Sequence, residues 1–254
     1  MCKRARALTV LVLSLTLVAC QSPSTVNKPH SDRAKLSEIN TELGGQYLRS
    51  REYQIAMDKL KKAIDLDPHN VDAHSTLGLL YNALGQHEQA EASFKQALRI
   101  EPNNSAALNN YGQFLCQRTR YEEGQKAIMK AVENPLYRNA ENAYYNAGVC
   151  ALSGHQLEQA DANFRKALEL DPQMAPALLQ MAELSLQQQH ALQGRAYLQR
   201  YTALAQPNAR SLWLGVQIER QLGDRDAEAS YGLQLERNFP DSPQTKLLLD
   251  SKPQ

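Results

Sequence analysis

Residues 71–104 read VDAHSTLGLLYNALGQHEQAEASFKQALRIEPNN, and this stretch decides the fold. Leu77, Gly78 and Tyr81 fall in its first half, and Ala90, Phe94 and Ala97 in its second. The second set is spaced by four and then three residues, which puts its members on one face of an α-helix. The small alanines let a neighbouring helix approach, and the aromatic ring fills the space between layers. Gly78 stands where two helices nearly touch. Pro102 ends the run, because the residue before a proline resists the α region. The stretch predicts a helix, a turn, a second helix and a stop.

The same grammar recurs along the chain. Asp67-Pro68, Glu101-Pro102 and Asp171-Pro172 each close a helical run; the first two prolines lie 34 residues apart and the third lies 70 beyond the second. A 34-residue period carrying Leu-Gly, Tyr, Ala, Phe, Ala and Pro in that order is the tetratricopeptide (TPR) signature. Residues 37–70 carry it as Leu43, Gly44, Tyr47, Ala56, Leu60, Ala63 and Pro68, and 141–174 as Tyr144, Gly148, Ala160, Phe164, Ala167 and Pro172. Residues 105–140 keep Tyr111 and Gly112 but put Gly124 where alanine is expected, and two extra residues around Pro135 predict a longer exit loop. Residues 175–208 (Met181, Ala182, Gly194, Leu198) and 208–241 (Leu214, Gly215, Ala227, Tyr231) are weaker repeats. Gln244–Asp250 predicts a capping helix in which Leu247, Leu248 and Leu249 cover the last repeat. The expected fold is all-α: a right-handed TPR solenoid of about six helix-turn-helix repeats over 36–254 with a short C-terminal cap.

Ahead of the repeats, Lys3, Arg4 and Arg6 precede an uncharged apolar run from Ala7 to Val18, and Leu17-Val18-Ala19-Cys20 follows. A plain secretory signal needs only small residues before its cut, and an ordinary signal peptide that happens to hold a cysteine is the bland alternative. A spanning helix needs about 20 apolar residues, more than this run offers. The Leu-x-small-Cys pattern resembles the bacterial lipobox. That resemblance implies a signal peptide over 1–19, an acylated Cys20 as the first mature residue and, since Gln21 stands where an inner-membrane protein has Asp, a place on the periplasmic face of the outer membrane. Several acyl chains hold firmly, at ~0.8 kcal/mol per buried CH₂. Residues 20–35, with Ser22, Pro23, Ser24, Pro29 and Ser31, offer little to bury and are expected to form a flexible tether.

Losing the leader takes the 28 basic residues to 25 against 27 acidic, a net charge of −2, which gives no electrostatic footprint for nucleic acid. His30, His69, His74, His87, His155 and His190 are scattered and form no His-x-x-x-His or Glu-x-x-His pair. No Cys-x-x-Cys clip, Gly-x-Ser-x-Gly elbow or phosphate-binding glycine loop is present. Glu122-Glu123 and the Asp224, Asp226, Glu228 group read as solvated helix faces. The expectation is a protein with no enzymatic activity, cofactor, metal or small-molecule substrate.

What remains is a surface. In TPR arrays the first helices line a concave groove, and by resemblance to that family positions two, five, nine, twelve and thirteen of each repeat face it. Here those positions give Leu48, Leu79, Asn82, Asn109, Gln113, Tyr145, Val149, Leu152, Leu179, Glu183 and Leu186. Only Arg49 and Arg220 are basic at these positions, so a clamp for acidic tails is not expected, and an apolar extended or helical peptide fits better. A leucine-lined groove would be an exposed apolar patch of the kind that marks partner sites, although each of these residues could equally pack between neighbouring helices. Cys116 and Cys150 fall on first helices of adjacent repeats, which admits a disulfide across the irregular spacing; two separate core cysteines are the alternative.

Two stretches depart from generic TPR grammar. One is Asn109-Asn110-Tyr111-Gly112-Gln113-Phe114-Leu115-Cys116 with Arg120-Tyr121-Glu122-Glu123. The other is Asn208-Ala209-Arg210-Ser211-Leu212-Trp213-Leu214-Gly215, then Gly223-Asp224-Arg225-Asp226-Ala227 and Ser230-Tyr231-Gly232-Leu233-Gln234-Leu235. Both resemble the PilF/PilW family of type IV pilus biogenesis lipoproteins, over roughly residues 36–244. The resemblance implies a pilotin: an outer-membrane lipoprotein that binds the pilus secretin, promotes its localisation and multimerisation, and so supports pili and twitching motility. A general TPR lipoprotein adaptor for cell-envelope enzymes is the alternative.

Overall fold

A computed structural model describes residues 29–251; among them are thirteen α-helices and no strand. Helices α1 (Pro29–Arg49) and α2 (Tyr53–Leu66) form the first repeat, α3 (Val71–Ala83) and α4 (His87–Ile100) the second, and α5 (Ser105–Gln117) and α6 (Tyr121–Val132) the third. Then come α7 (Ala140–Ser153) with α8 (Leu157–Leu170), α9 (Ala175–Gln187) with α10 (Ala191–Leu204), α11 (Ala209–Leu222) with α12 (Arg225–Asn238), and a final α13 (Pro243–Asp250). The structure is the expected solenoid of antiparallel helix pairs.

Local chemistry sets the joints. Asn70 and Asn104 cap α3 and α5 by accepting from the Ala73 and Ala107 amides, and Asn208 forms a capping box with Ser211 at the start of α11. Within each repeat the turn needs one left-handed residue. Gly85 and Gly223 supply it in repeats two and six, but Arg51, Thr119, His155 and Gln189 take it elsewhere, with φ between 58° and 63°. His155 thus belongs to a turn, as do His69 and His190, whereas His74 lies within α3 and His87 opens α4.

Between layers, large side chains meet missing ones. Phe94 and Phe164 are completely buried, and a Cβ at Gly148 would sit 2.5 Å from the Phe164 ring. One core runs from α7 to α11 through Phe164, Leu178, Met181, Leu184, Leu198 and Ile218. Repeat three solves its contact differently. A Cβ at Gly124 would lie 2.3 Å from Cys116 Sγ and 2.7 Å from the Gly112 carbonyl, so the glycine found in place of alanine is what lets α6 lie against α5 beside the sulfur. The longer exit loop falls at residues 133–139, where Leu136 is 84% exposed.

Two expectations need correcting. The stretch read as a tether to residue 35 is helical from Pro29. Arg33 donates to the Asp65 and Leu66 carbonyls at 3.1 and 3.4 Å, satisfying the open C-terminus of α2, and Ser37 donates to the Ala63 carbonyl at 2.7 Å. The rest of that stretch, with Cys20 and the leader, lies outside the described residues. At the other end, of the three leucines only Leu248 is buried, beside Thr245; Leu247 and Leu249 are each 52% exposed, because eight residues of α13 touch the last repeat along a single stripe.

Candidate partner-binding surface

First helices pack on first helices: α1 on α3, α3 on α5, α5 on α7, and α9 on α11. The second helices α2, α4, α6, α8, α10 and α12 make no comparable contact with one another. The array therefore curves with its first helices inside. Partly exposed side chains that bridge two first helices lie on the open inner side, since second helices cover the other.

The residues expected to line this side divide into two groups. The apolar ones do not stand free. Leu48 packs with Leu60 and Leu77, Leu79 packs beside Phe94 and Phe114, and Tyr145, Val149, Leu152 and Leu186 pack against the α7–α11 core, in which Leu179 is buried. All of them but Leu179 stay partly exposed, so these positions serve the interface between repeats and also present an apolar edge at the surface.

The polar ones form a ladder. Asn82 Nδ2 donates to Gln117 Oε1 at 2.7 Å across α3 and α5. Asn110 Nδ2 donates to Ser75 Oγ at 3.1 Å in the same step. Across α5 and α7, Gln113 Nε2 donates to Asn146 Oδ1 at 3.2 Å and Asn146 Nδ2 donates to Asn109 Oδ1 at 3.1 Å. Glu183 on α9 is held by the guanidinium of Arg210 on α11. Arg220 is paired with Glu228 at 2.7 Å and stacked over Trp213, so it is not a free clamp cation.

The step from α7 to α9 is looser: their backbones approach less closely than those of the other neighbouring first helices, although Tyr145, Val149 and Leu152 still pack on the core that holds Leu178 and Leu179. A cleft of about 310 Å³ lies at the start of α9, lined there by Ala175, Leu179 and Gln180, and by Tyr145 of α7, Tyr201 of α10, Ala205 just after it, and Arg210 of α11. Gln180 lies beside Tyr145, and its Oε1 is buried without a hydrogen-bond partner among the described residues. Burial raises the Tyr145 phenol above its ordinary value of 10.0, so it stays neutral. Asn110, Asn146, Gln180 and Arg210 were not among the expected lining residues. The signal was present, because the three amides each occupy the sixth place of successive repeats.

Cys116 and Cys150 are joined by a disulfide that ties α5 to α7, with Cα atoms 5.4 Å apart. On the outer side Glu91 accepts from Tyr111 at 3.0 Å and pairs with Lys95 and Arg120 at 2.8 and 2.9 Å. No group of three or more His, Cys, Asp or Glu side chains suited to a metal occurs among the described residues. Nor is any described helix long and apolar enough to cross a membrane.

Comparison with known proteins fits this architecture. Tetratricopeptide repeat models match residues 71–104, 93–126 and 141–174, and a TPR repeat model matches 46–85. The chain is 31% identical, over 93% of its length and 95% of the relative's, to the type IV pilus assembly protein PilF of Pseudomonas aeruginosa. The chain belongs to the PilF/PilW family of TPR proteins. The solved structure of Pseudomonas aeruginosa PilF superposes with a TM-score of 0.79, at 31% identity, over 87% of this chain and 100% of that one. The crystal structure of PilW, described as a widely conserved type IV pilus biogenesis factor, gives 0.78 at 31% identity over 85% and 99%. A tetratricopeptide repeat protein from Parabacteroides merdae, at 18% identity and a TM-score of 0.59, shares the fold alone.

Proposed function

We propose that this protein is a pilotin: an acyl-anchored scaffold on the periplasmic face of the outer membrane that binds the type IV pilus secretin and promotes its localisation and multimerisation. The observation that carries the reading is the near full-length relationship to a type IV pilus assembly protein, 31% identity over 93% of the chain. It acts without bond-making chemistry. The array offers a curved inner surface, and lipidation at Cys20 would confine that surface, with whatever it holds, to a thin layer beneath the membrane. Confinement raises the effective concentration of secretin subunits and favours their assembly.

The test is a deletion strain. Surface pili and twitching should be lost, with secretin multimers absent or misplaced. Cys20→Ser should release the protein into the periplasm and reproduce the assembly defect. Normal secretin multimers in the deletion strain would overturn the proposal, and pili that persist beside cell-shape defects would favour an adaptor for envelope enzymes instead.

A further inference from the structure

Among the described residues the array ends on a first helix. α13 packs on α11 and α12 as a first helix does, and no second helix follows it there. Gly215 is the seventh residue of α11, and a Cβ on it would lie 2.7 Å from the Tyr231 ring of α12. The seventh residue of α13 is Leu249, and it is 52% exposed. The neighbouring face of α12 is open as well. Arg165 and Leu168, ninth and twelfth in α8, border a cleft with Tyr197 and Arg200 of the next second helix, α10. Their equivalents in α12 are Leu233 and Glu236, which line a groove of about 870 Å³ between α12 and α13. Leu233 is 68% exposed, where α2, α4, α8 and α10 carry Lys61, Lys95, Arg165 and Gln199. Ala229 and Gly232 form the floor of this groove, and Leu248 faces it from α13.

We infer that this groove seats an amphipathic helix of a protein partner, which completes in trans the seventh repeat that α13 begins. The repeat register argues for a helix, since the same face of α8 lies beside α10. It also sets the shape. Gly215 leaves room for the Tyr231 ring, but Leu249 does not, so the incoming helix places a small residue there. Its aliphatic side chains reach down between Leu233 and Leu248, where the glycine leaves space. Along the groove Arg220 and Glu228 neutralise each other and Glu236 is engaged, which leaves Arg225 to meet an acidic side chain. The seat runs from Arg225 to Glu236, about 16 Å, or roughly three turns of helix. The inference rests on the partner-binding reading above and adds a contact at the end of the array, apart from its inner curve.

The experiment uses the protein without its leader and the purified periplasmic part of the pilus secretin. Leu233→Glu and Leu249→Glu alter exposed side chains, so each should keep the wild-type melting temperature and weaken binding about tenfold or more. A photo-crosslinking residue at position 233 should capture a secretin segment, and the same residue at position 165 should not. A proline in the middle of the captured segment should weaken binding by about a hundredfold, because it breaks a helix. Normal binding by both variants, no capture at position 233, or a tolerated proline would overturn the inference while the wild type still binds the secretin. Capture of a second copy of this chain, with a dimer in light scattering that Leu233→Glu abolishes, would overturn it by giving the groove another occupant. If the wild type does not bind the secretin at all, the partner reading falls and takes this inference with it.

Discussion

Replacing Cys116 and Cys150 together by alanine removes the covalent link between the first helices of repeats three and four. The bridge closes a loop with a sequence separation of 34. In the chain-entropy account a loop of that size restricts the denatured chain by roughly 13 cal/mol/K, or about 4 kcal/mol at room temperature. The loss acts at one joint of a quasi-one-dimensional array, so it also weakens the coupling between the two halves. Urea unfolding followed by circular dichroism should show a midpoint lowered by about 4 kcal/mol divided by the slope, with a broader transition. Reduced wild-type protein should match the double variant. Gly124→Ala sharpens the test, because its Cβ would meet Cys116 Sγ at 2.3 Å and the Gly112 carbonyl at 2.7 Å. Removing the sulfur relieves the first collision only, so the glycine change should cost less in the cysteine-free protein than in the wild type. A loss below about 1 kcal/mol, or a Gly124→Ala cost independent of the cysteines, would refute the reasoning.

Three further outcomes are expected. Gly148→Ala should destabilise by about 1–3 kcal/mol, since the new methyl meets the fully buried Phe164 ring at 2.5 Å; calorimetry checks it. Thr119→Gly should stabilise by about 1 kcal/mol, because a β-branched residue now holds the left-handed position with φ 60°, and an unchanged or lower melting temperature contradicts this. Hydrogen bonds from Lys95 and then Arg120 hold the Glu91 carboxyl at about 2 against an ordinary 4.5. Its folded value is depressed, so its contribution is complete above about 4.5 and disappears as the pH falls toward 2; Glu91→Gln should flatten the stability curve across that window.

The helix pairs were legible because TPR packing writes itself into local spacing. Gly78 and Phe94, or Gly148 and Phe164, are complementary shapes a fixed distance apart in sequence. The inner surface was only partly legible. Repeat position says that Leu79 and Leu152 leave their own helix toward the inside, but how far the next repeat covers them depends on the approach of neighbouring first helices. The same positional grammar did mark amides at Asn82, Asn109 and Gln113, and the structure brings these into one ladder. The cleft at Gln180 had no local signature, since its lining comes from four helices, α7, α9, α10 and α11. Arg195 with the buried Glu219, 24 residues apart, was likewise invisible to helix periodicity.

Hydrogen exchange on the protein, free and bound to the periplasmic part of the secretin, tests most directly whether the inside of the curve holds the partner. Protection should appear on the first helices α3, α5, α7 and α9 and leave the amides of α4, α6 and α8 unchanged. Protection confined to those second helices, or none with the complex formed, would contradict the account.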